Sequence, residues 1–338
     1  TPSSFTAGRG LERPMQVLVT GASGFTGGHL ARALKARGYK VRALVRNPAK
    51  GEALSRDGIE PIIGDLVNAA DVRRAVQGCE VVYHIGAIYR EARFGDEVYR
   101  QINVGGTEHV LEASRREGVG RVVHCSTVGV HGDVRAPADE TAAFGPLDVY
   151  QESKLEGEQL ARKYFDAGLP GTIFRPVGIH GPGDMRFHKL FRTIANGSFR
   201  MIGRGEVLYH MTYIDDLVAG IMRCGEHPAA LGQTYILCGP RYTTITELAA
   251  AVAQAVGRPP PRGHIPAGPV LAAAKLCEAL CRPLGIEPPL HKRRLDFFLI
   301  DRGFSCAKAT REIGYAPQIP LQEGLARTAA WYKSKGLL

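Results

Sequence analysis

Tyr150-Gln151-Glu152-Ser153-Lys154 sets a phenol and an ammonium four residues apart at the start of a segment whose apolar spacing predicts a helix, so both lie on one face. A free phenol titrates at about 10 and is a poor base at neutral pH. A lysine ammonium beside it, joined by the positive ring of an oxidised cofactor, stabilises the phenolate and lowers that value. Tyr150 can then exchange a proton with a substrate hydroxyl or carbonyl. The same spacing also occurs as an ordinary helix pair, and two upstream features argue for chemistry instead. Cys125-Ser126-Thr127 follows the hydrophobic run Arg121-Val122-Val123-His124, a strand end from which hydroxyls reach a substrate oxygen. Asn103, in Ile102-Asn103-Val104-Gly105-Gly106-Thr107, heads the preceding helix and can fix backbone or water near the lysine.

A second constellation handles phosphate. Thr20-Gly21-Ala22-Ser23-Gly24-Phe25-Thr26-Gly27 follows the first predicted strand and opens the first predicted helix. Gly21 suits the tight turn, Gly24 admits a pyrophosphate to the backbone, and Gly27 lets helix and strand pack closely; the helix N-terminus favours the phosphate charge. Bare glycines would mean little, but their place at the front of a βαβ unit predicts a dinucleotide site. The second strand ends Leu44-Val45-Arg46-Asn47, with no carboxylate to accept from free ribose hydroxyls. The Arg46 guanidinium there would welcome a 2'-phosphate, which favours NADP(H) over NAD(H). Gly64-Asp65-Leu66 closes the third strand, where the Asp65 carboxylate can accept from the adenine amine.

These residues need a scaffold of strands whose carboxyl ends meet. From Met15 onward, short β-branched runs alternate with longer amphipathic stretches, the pattern of a doubly wound parallel sheet covered on both faces. The predicted strands are Gln16-Thr20, Lys40-Val45, Glu60-Ile63, Val81-Ile85, Arg121-Cys125, Gly171-Arg175 and Thr234-Leu237. Predicted helices include Gly28-Arg37, Ala70-Val76, Gly105-Arg116, Lys154-Ala167 and Asp215-Cys224. After Gly178 the alternation weakens. The expected organisation is a leader over residues 1–14, a dinucleotide-binding domain over 15–180 with 213–238 returning to it, and a smaller mixed substrate-binding cap over 181–212 and 239–338.

Composition bounds the partners. The 338 residues suffice for one large domain or two unequal ones. The net charge of +10 is dispersed, and its densest run, His291-Lys292-Arg293-Arg294, has no interleaved aromatics, so a solvated face is expected and no nucleic acid. Seven scattered cysteines without a Cys-x-x-Cys pair predict neither disulfides nor a metal site, and fit a reducing, cytoplasmic setting. His84, His131, His180 and His188 lack paired ligand spacing and read as structural or pocket-lining. No apolar run approaches the roughly 20 residues of a membrane span. The apolar segment Ile265 to Leu284 is expected to pack the small domain, with shielding of an apolar substrate or peripheral membrane contact as alternatives.

Taken in order, the glycine loop, Gly-Asp-Leu, Asn103, Ser126-Thr127, Tyr150/Lys154 and Arg175-Pro176 resemble the extended short-chain dehydrogenase/reductases over nearly the whole chain. The resemblance implies a Rossmann sheet, a small-molecule substrate and a homodimer built on the helix bearing Tyr150. Aligning Val130-His131-Gly132 with the family's Val-Tyr-Gly implies that Thr127 donates to the substrate oxygen and that Ser126 sits beside the nicotinamide. It further implies that Lys154 holds the nicotinamide ribose, that Ala87 belongs to the cofactor set, and that Pro176, Val177 and Ile179 lie along the nicotinamide ring.

Within that family, nucleotide-sugar epimerases and dehydratases carry an arginine where this chain has Tyr209, which weakens that reading unless Arg204 or Arg302 substitutes. Val41-Arg42-Ala43-Leu44-Val45-Arg46 is similar to the second strand of dihydroflavonol reductases. Asp301 to Ser305, Lys308-Ala309 and Ile313-Gly314-Tyr315-Ala316-Pro317 look like the 3β-hydroxysteroid dehydrogenase signature. The expectation is alcohol/ketone oxidoreduction on a largely apolar or cyclic substrate, with a nucleotide-sugar enzyme that retains its cofactor as the rival. A non-catalytic cofactor sensor is a third reading, but it would not need the Tyr150/Lys154 pair.

Overall fold

Val17-Leu18-Val19, Val81-Val82-Tyr83 and Ile173-Phe174 are apolar on both faces of a strand, which only a sheet covered on both sides can satisfy. In the computed structural model, which describes residues 14–89, 95–281 and 292–338, all eight are buried. The leader up to residue 13, Leu284 at the end of the apolar segment and His291 of the basic run lie outside the described residues.

The strands are β1 (Gln16–Thr20), β2 (Lys40–Val45), β3 (Glu60–Ile63), β4 (Val81–His84), β5 (Arg121–Cys125), β6 (Gly171–Pro176), β7 (Gly178–His180), β8 (Met201–Ile202), β9 (Leu208–Tyr213), β10 (Thr234–Leu237), β11 (Tyr242–Thr244) and β12 (His264–Ile265). Seven of them form one parallel sheet in the order β10-β6-β5-β4-β1-β2-β3. These are the seven strands expected from the sequence, with ends differing by one residue at β4 and β6. Helices Phe25–Ala36 and Ile214–Glu226 cover one face through Leu30, Leu34, Leu217 and Ile221. Helices Ala69–Val76 and Gly106–Arg116 cover the other through Val72, Val76, Val110 and Leu111, and helix Val149–Asp166 joins them with Ala161.

The chain runs outward from β1 to β3, then crosses back to β4 and continues the other way. The strand order therefore reverses between β1 and β4, and at such a switch point the loops after the two strands part and leave a crevice at their carboxyl ends. Thr20, the last residue of β1, is in register with His84, the last of β4.

Beyond β6 the chain builds a smaller mixed sheet, β11-β9-β7, in which β7 is parallel and β11 antiparallel to β9. Its own core contains Phe191, Met211, Leu248, Val252, Leu325 and Tyr332. Helix Ile245–Val256 there has a full capping box from Thr244 and Glu247 and a left-handed Gly257 at its end. The expected apolar helix runs over Ala267–Cys281, and it is covered only in part. Only Ala274 is fully covered, while Leu276 and Leu280 are 62% and 61% exposed. Among the described residues no helix is long and apolar enough to cross a membrane.

Candidate active site

The crevice at the switch point is the end of a cleft of about 640 Å³. Its floor is two glycine turns in contact. Gly21 has φ +73°, and a Cβ there would stand 2.8 Å from the Gly86 Cα; a Cβ on Gly27 would stand 2.3 Å from the Gly21 carbonyl oxygen. Gly24 caps helix Phe25–Ala36 without any side-chain bond, and no acidic residue occupies its first turn. The N–H groups of Phe25, Thr26 and Gly27 open that helix with no carboxylate to compete for them, which leaves the helix N-terminus to an anion. Ser23, Phe25 and Thr26 line the same end.

Farther along this wall Arg46, with its side chain 72% exposed, stands 4.0 Å from the Asp65 carboxylate. Asp65 also accepts from the Val67 amide at 3.3 Å, and its own amide donates to Asp71. A guanidinium and a carboxylate thus flank this part of the cleft, with Leu66 packed against Gly86 between them and the glycine turns.

At the opposite end, β5 and helix Val149–Asp166 bring together Ser126, Thr127, Tyr150 and Lys154, all of which line the cleft. The helix begins at Val149 and so includes Tyr150, because Asp148 caps it by accepting from the Gln151 amide at 2.9 Å. Lys154 is 3% exposed and its Nζ donates to the Cys125 carbonyl. Burial pulls its ammonium below the ordinary lysine value, and the Glu158 carboxylate one turn on opposes that pull. The Thr127 hydroxyl accepts from the Gly129 amide at 3.1 Å, which leaves its proton to donate into the cleft. Tyr89 meets the Tyr150 ring edge-on, centroids 5.0 Å apart.

Asn103 is placed differently from the other candidates. It is 1% exposed, lies behind the cleft wall, and sits in a π-helical turn, Gln101–Gly105, ahead of helix Gly106–Arg116. Its side-chain oxygen accepts from the Ile88 amide at 2.8 Å, and its amide donates to the Ile88 carbonyl and to Ser153 Oγ at 3.2 and 2.9 Å. Ser153 in turn donates to the Tyr150 carbonyl.

A further chain of bonds ends on the same residue. Thr107 donates to the Asn103 carbonyl at 2.6 Å, so its oxygen accepts from His84 Nε2 at 3.0 Å. That assigns the His84 proton to Nε2. Nδ1 then accepts from Thr20, which accepts from the Gly86 amide. Burial depresses the His84 pKa to about 3, so the ring is neutral and this polarity is kept. One uninterrupted run of bonds links the glycine floor to the helix that carries Tyr150. Sequence reasoning treated His84 only as structural or pocket-lining and did not find its link to Asn103.

Behind Lys154, Glu158 and Arg175 form a buried forked pair, 1% exposed each, in which Arg175 also reaches His131 Nε2 at 3.0 Å. Burial raises the Glu158 carboxyl, but the Arg175 bonds and charge outweigh it and hold the group below its usual range. Phe187, Tyr209, Phe297 and Phe304 add an aromatic wall to the cleft, and Arg302 lines it too. Arg302 Nη2 is buried without a hydrogen-bond partner. Gly21, Ser23, Gly24, Phe25, Thr26, Gly27, Arg46, Asp65, Leu66, Ala87, Ser126, Thr127, Tyr150, Lys154, Pro176, Val177 and Ile179 all line this one cleft, and Asn103 supports it from behind. Among the described residues no group of three or more His, Cys, Asp or Glu could hold a metal ion.

Residues 17–238 match the NAD dependent epimerase/dehydratase family, and the chain belongs to that family. It is 32% identical to a 4-hydroxy-2-methyl-3-oxo-4-farnesyl-3,4-dihydroquinoline-1-oxide ketoreductase of Stigmatella aurantiaca, over 92% of this chain and 95% of that one. It is 33% identical to a 3 beta-hydroxysteroid dehydrogenase/Delta 5-->4-isomerase of Mycobacterium tuberculosis, over 94% and 90%. Among solved structures, the dTDP-glucose 4,6-dehydratase DesIV of Streptomyces venezuelae, with NAD and TYD bound, superposes with a TM-score of 0.77 at 26% identity, covering 95% of this chain and 97% of that one. The protein is an NAD(P)-dependent oxidoreductase of the extended short-chain dehydrogenase/reductase type.

Proposed function

We propose that the protein interconverts a secondary alcohol and a ketone on a largely apolar or cyclic substrate, steroid-like or flavonoid-like, with a dissociating NADP(H) or NAD(H). The observation that carries this reading is one cleft with the glycine floor at one end, Thr127, Tyr150 and Lys154 at the other, and an aromatic wall of Phe187, Tyr209, Phe297 and Phe304 beyond them. The names of the ketoreductase and hydroxysteroid dehydrogenase relatives support it.

The residues present fit a dinucleotide. The glycine turns pack backbone on backbone where a Cβ would force them apart, which keeps the loop tight at the start of the helix, and the uncapped helix N-terminus offers N–H groups to a pyrophosphate. The nicotinamide, when bound, supplies or accepts the hydride. Tyr150 moves the proton: as phenolate it takes the substrate hydroxyl proton, and as phenol it returns one to the carbonyl oxygen. Thr127 donates to that same oxygen and fixes its position. The Lys154 ammonium, tethered to the Cys125 carbonyl, lowers the cost of the phenolate. Arg46 at the adenosine rim supports a preference for NADP(H). We infer a homodimer from the same family likeness.

Replacing Tyr150 with Phe should lower kcat by about 10²–10⁴ while cofactor affinity stays within about twofold; equal turnover in both proteins would remove the catalytic assignment. A second reading, a nucleotide-sugar epimerase or dehydratase with retained cofactor, draws support from the unpartnered Arg302 Nη2 in the cleft. Stoichiometric release of reduced cofactor during turnover supports the first reading, and its absence together with tight UDP-glucose binding supports the second.

A further inference from the structure

The loop that follows β7 folds back over the start of the glycine-loop helix. Its Pro182 carbonyl accepts from His29 Nε2 at 3.0 Å, and Gly183 faces the Phe25 ring. Arg186 lies at the end of this loop with its guanidinium 5.1 Å from the Phe25 ring centroid and 6.0 Å from that of Tyr89. Phe25 opens the helix whose N-terminus carries no side-chain cap, and Tyr89 abuts Tyr150. The guanidinium therefore lies between the start of the glycine-loop helix and the aromatic ring that abuts Tyr150.

It is also held rigidly. Asp184, fully buried, accepts from Arg186 Nε at 2.6 Å and from the amides of Arg186 and Phe187, and the Ile179 carbonyl accepts from Nη2 at 2.9 Å. Nη1 is left without a hydrogen-bond partner among the described residues. The other cations of the cleft are elsewhere: Arg46 at the adenosine rim, Lys154 buried beside Tyr150, Arg302 among the substrate-end aromatics. A pyrophosphate on the glycine loop would bring two negative charges into the gap between them, against only about half a positive charge from the helix N-terminus.

We propose that Arg186 is a cofactor-binding residue: it closes the cleft from above and donates through Nη1 to the pyrophosphate bridge, opposite the amides of the glycine loop. This rests on the dinucleotide reading given above. The bland alternative is that Arg186 only ties the loop to Asp184. A forked guanidinium already oriented by a buried carboxylate loses little freedom when it meets phosphate, so its contribution should be read in affinity and not only in stability.

The test titrates NADPH, ADP-ribose and adenosine 2'-monophosphate into the wild-type protein, Arg186→Gln and Arg186→Lys, and records melting temperatures of the free proteins. ADP-ribose keeps the bridge without the nicotinamide, and the monophosphate keeps the adenosine half without the bridge. The expected result is that Arg186→Gln weakens NADPH and ADP-ribose in parallel by about 10–100-fold and leaves the monophosphate within about twofold. Arg186→Lys, which preserves the charge facing Asp184, should melt near the wild type and still lose about tenfold for both bridged ligands; it decides the matter if the glutamine variant does not fold. Unchanged affinity for ADP-ribose in the lysine variant, or an equal loss for all three ligands, overturns the proposal and leaves the dinucleotide reading standing. Failure of the wild-type protein to bind any of the three overturns that reading itself.

Discussion

Arg46 and Asp65 face each other at the rim of the cleft at 4.0 Å, with the arginine side chain 72% exposed. So exposed a pair holds little energy of its own, which leaves the guanidinium free to turn toward a phosphate. Arg46→Ala should weaken NADPH by about 10–100-fold and leave NADH within about twofold, read by calorimetric titration. Equal losses for both would mean that the guanidinium does not meet a 2'-phosphate. Residues of this kind were legible in the sequence because their types are chemically unusual where they stand: an arginine at a strand end that ordinarily closes in a carboxylate, or a phenol one helical turn before an ammonium. Arg186 was not legible. It gives no signal in Gly183-Asp184-Met185-Arg186, and only the fold-back of that loop onto Phe25 puts it in the cleft.

The π-helical turn at Gln101–Gly105 shows the same division among elements. No local propensity distinguishes it from the α-helix it precedes, yet it turns Asn103 inward to serve both Ile88 and Ser153. Asn103→Ala would leave the Ile88 amide and carbonyl unpaired in the interior. A loss of about 2–4 kcal/mol is expected by urea denaturation, against about 1 kcal/mol for Ser153→Ala, which removes a single partner. Similar small losses in both would mean that water replaces the asparagine. The large-sheet strands were readable because burial on both faces demands continuous β-branched runs. Two- and three-residue strands such as β7, β8, β11 and β12 cannot carry a period, and the sequence reading passed over them. Helix Pro48–Arg56 was also missed, although Asn47 caps it and Pro48 opens it, a start signal that was present in the sequence.

Among the described residues, several imidazoles are held neutral in the interior, and four of them make a shared case. His84, His124, His180 and His210 are each 3% exposed or less. Burial depresses His84 to about 3, His180 and His210 to about 4, and His124 well below its ordinary value. In the unfolded chain they titrate at about 6.5, so between that value and about 4 the unfolded state binds more protons and stability falls as the pH falls. From pH 7 to 5.5 each should cost about 1.2 kcal/mol, or roughly 5 kcal/mol for four, provided the native rings remain neutral. Urea unfolding at the two pH values checks this; equal free energies would mean that the rings become charged without unfolding.

β10 pairs with β6 along the outer edge of the large sheet, although about 60 residues that build part of the second lobe separate them in the chain. On the ribosome, at roughly 5–20 residues per second, the open edge of β6 would wait about 3–12 s for its partner to be made. That edge is buried in the finished molecule, with no proline until Pro176 and no charge until Arg175 to discourage a stranger. Nascent chains of this protein are therefore most exposed to mispairing in the interval when helix Val149–Asp166 already exists and the sheet beneath it is one strand short, and it is then that a holdase chaperone would have most to protect.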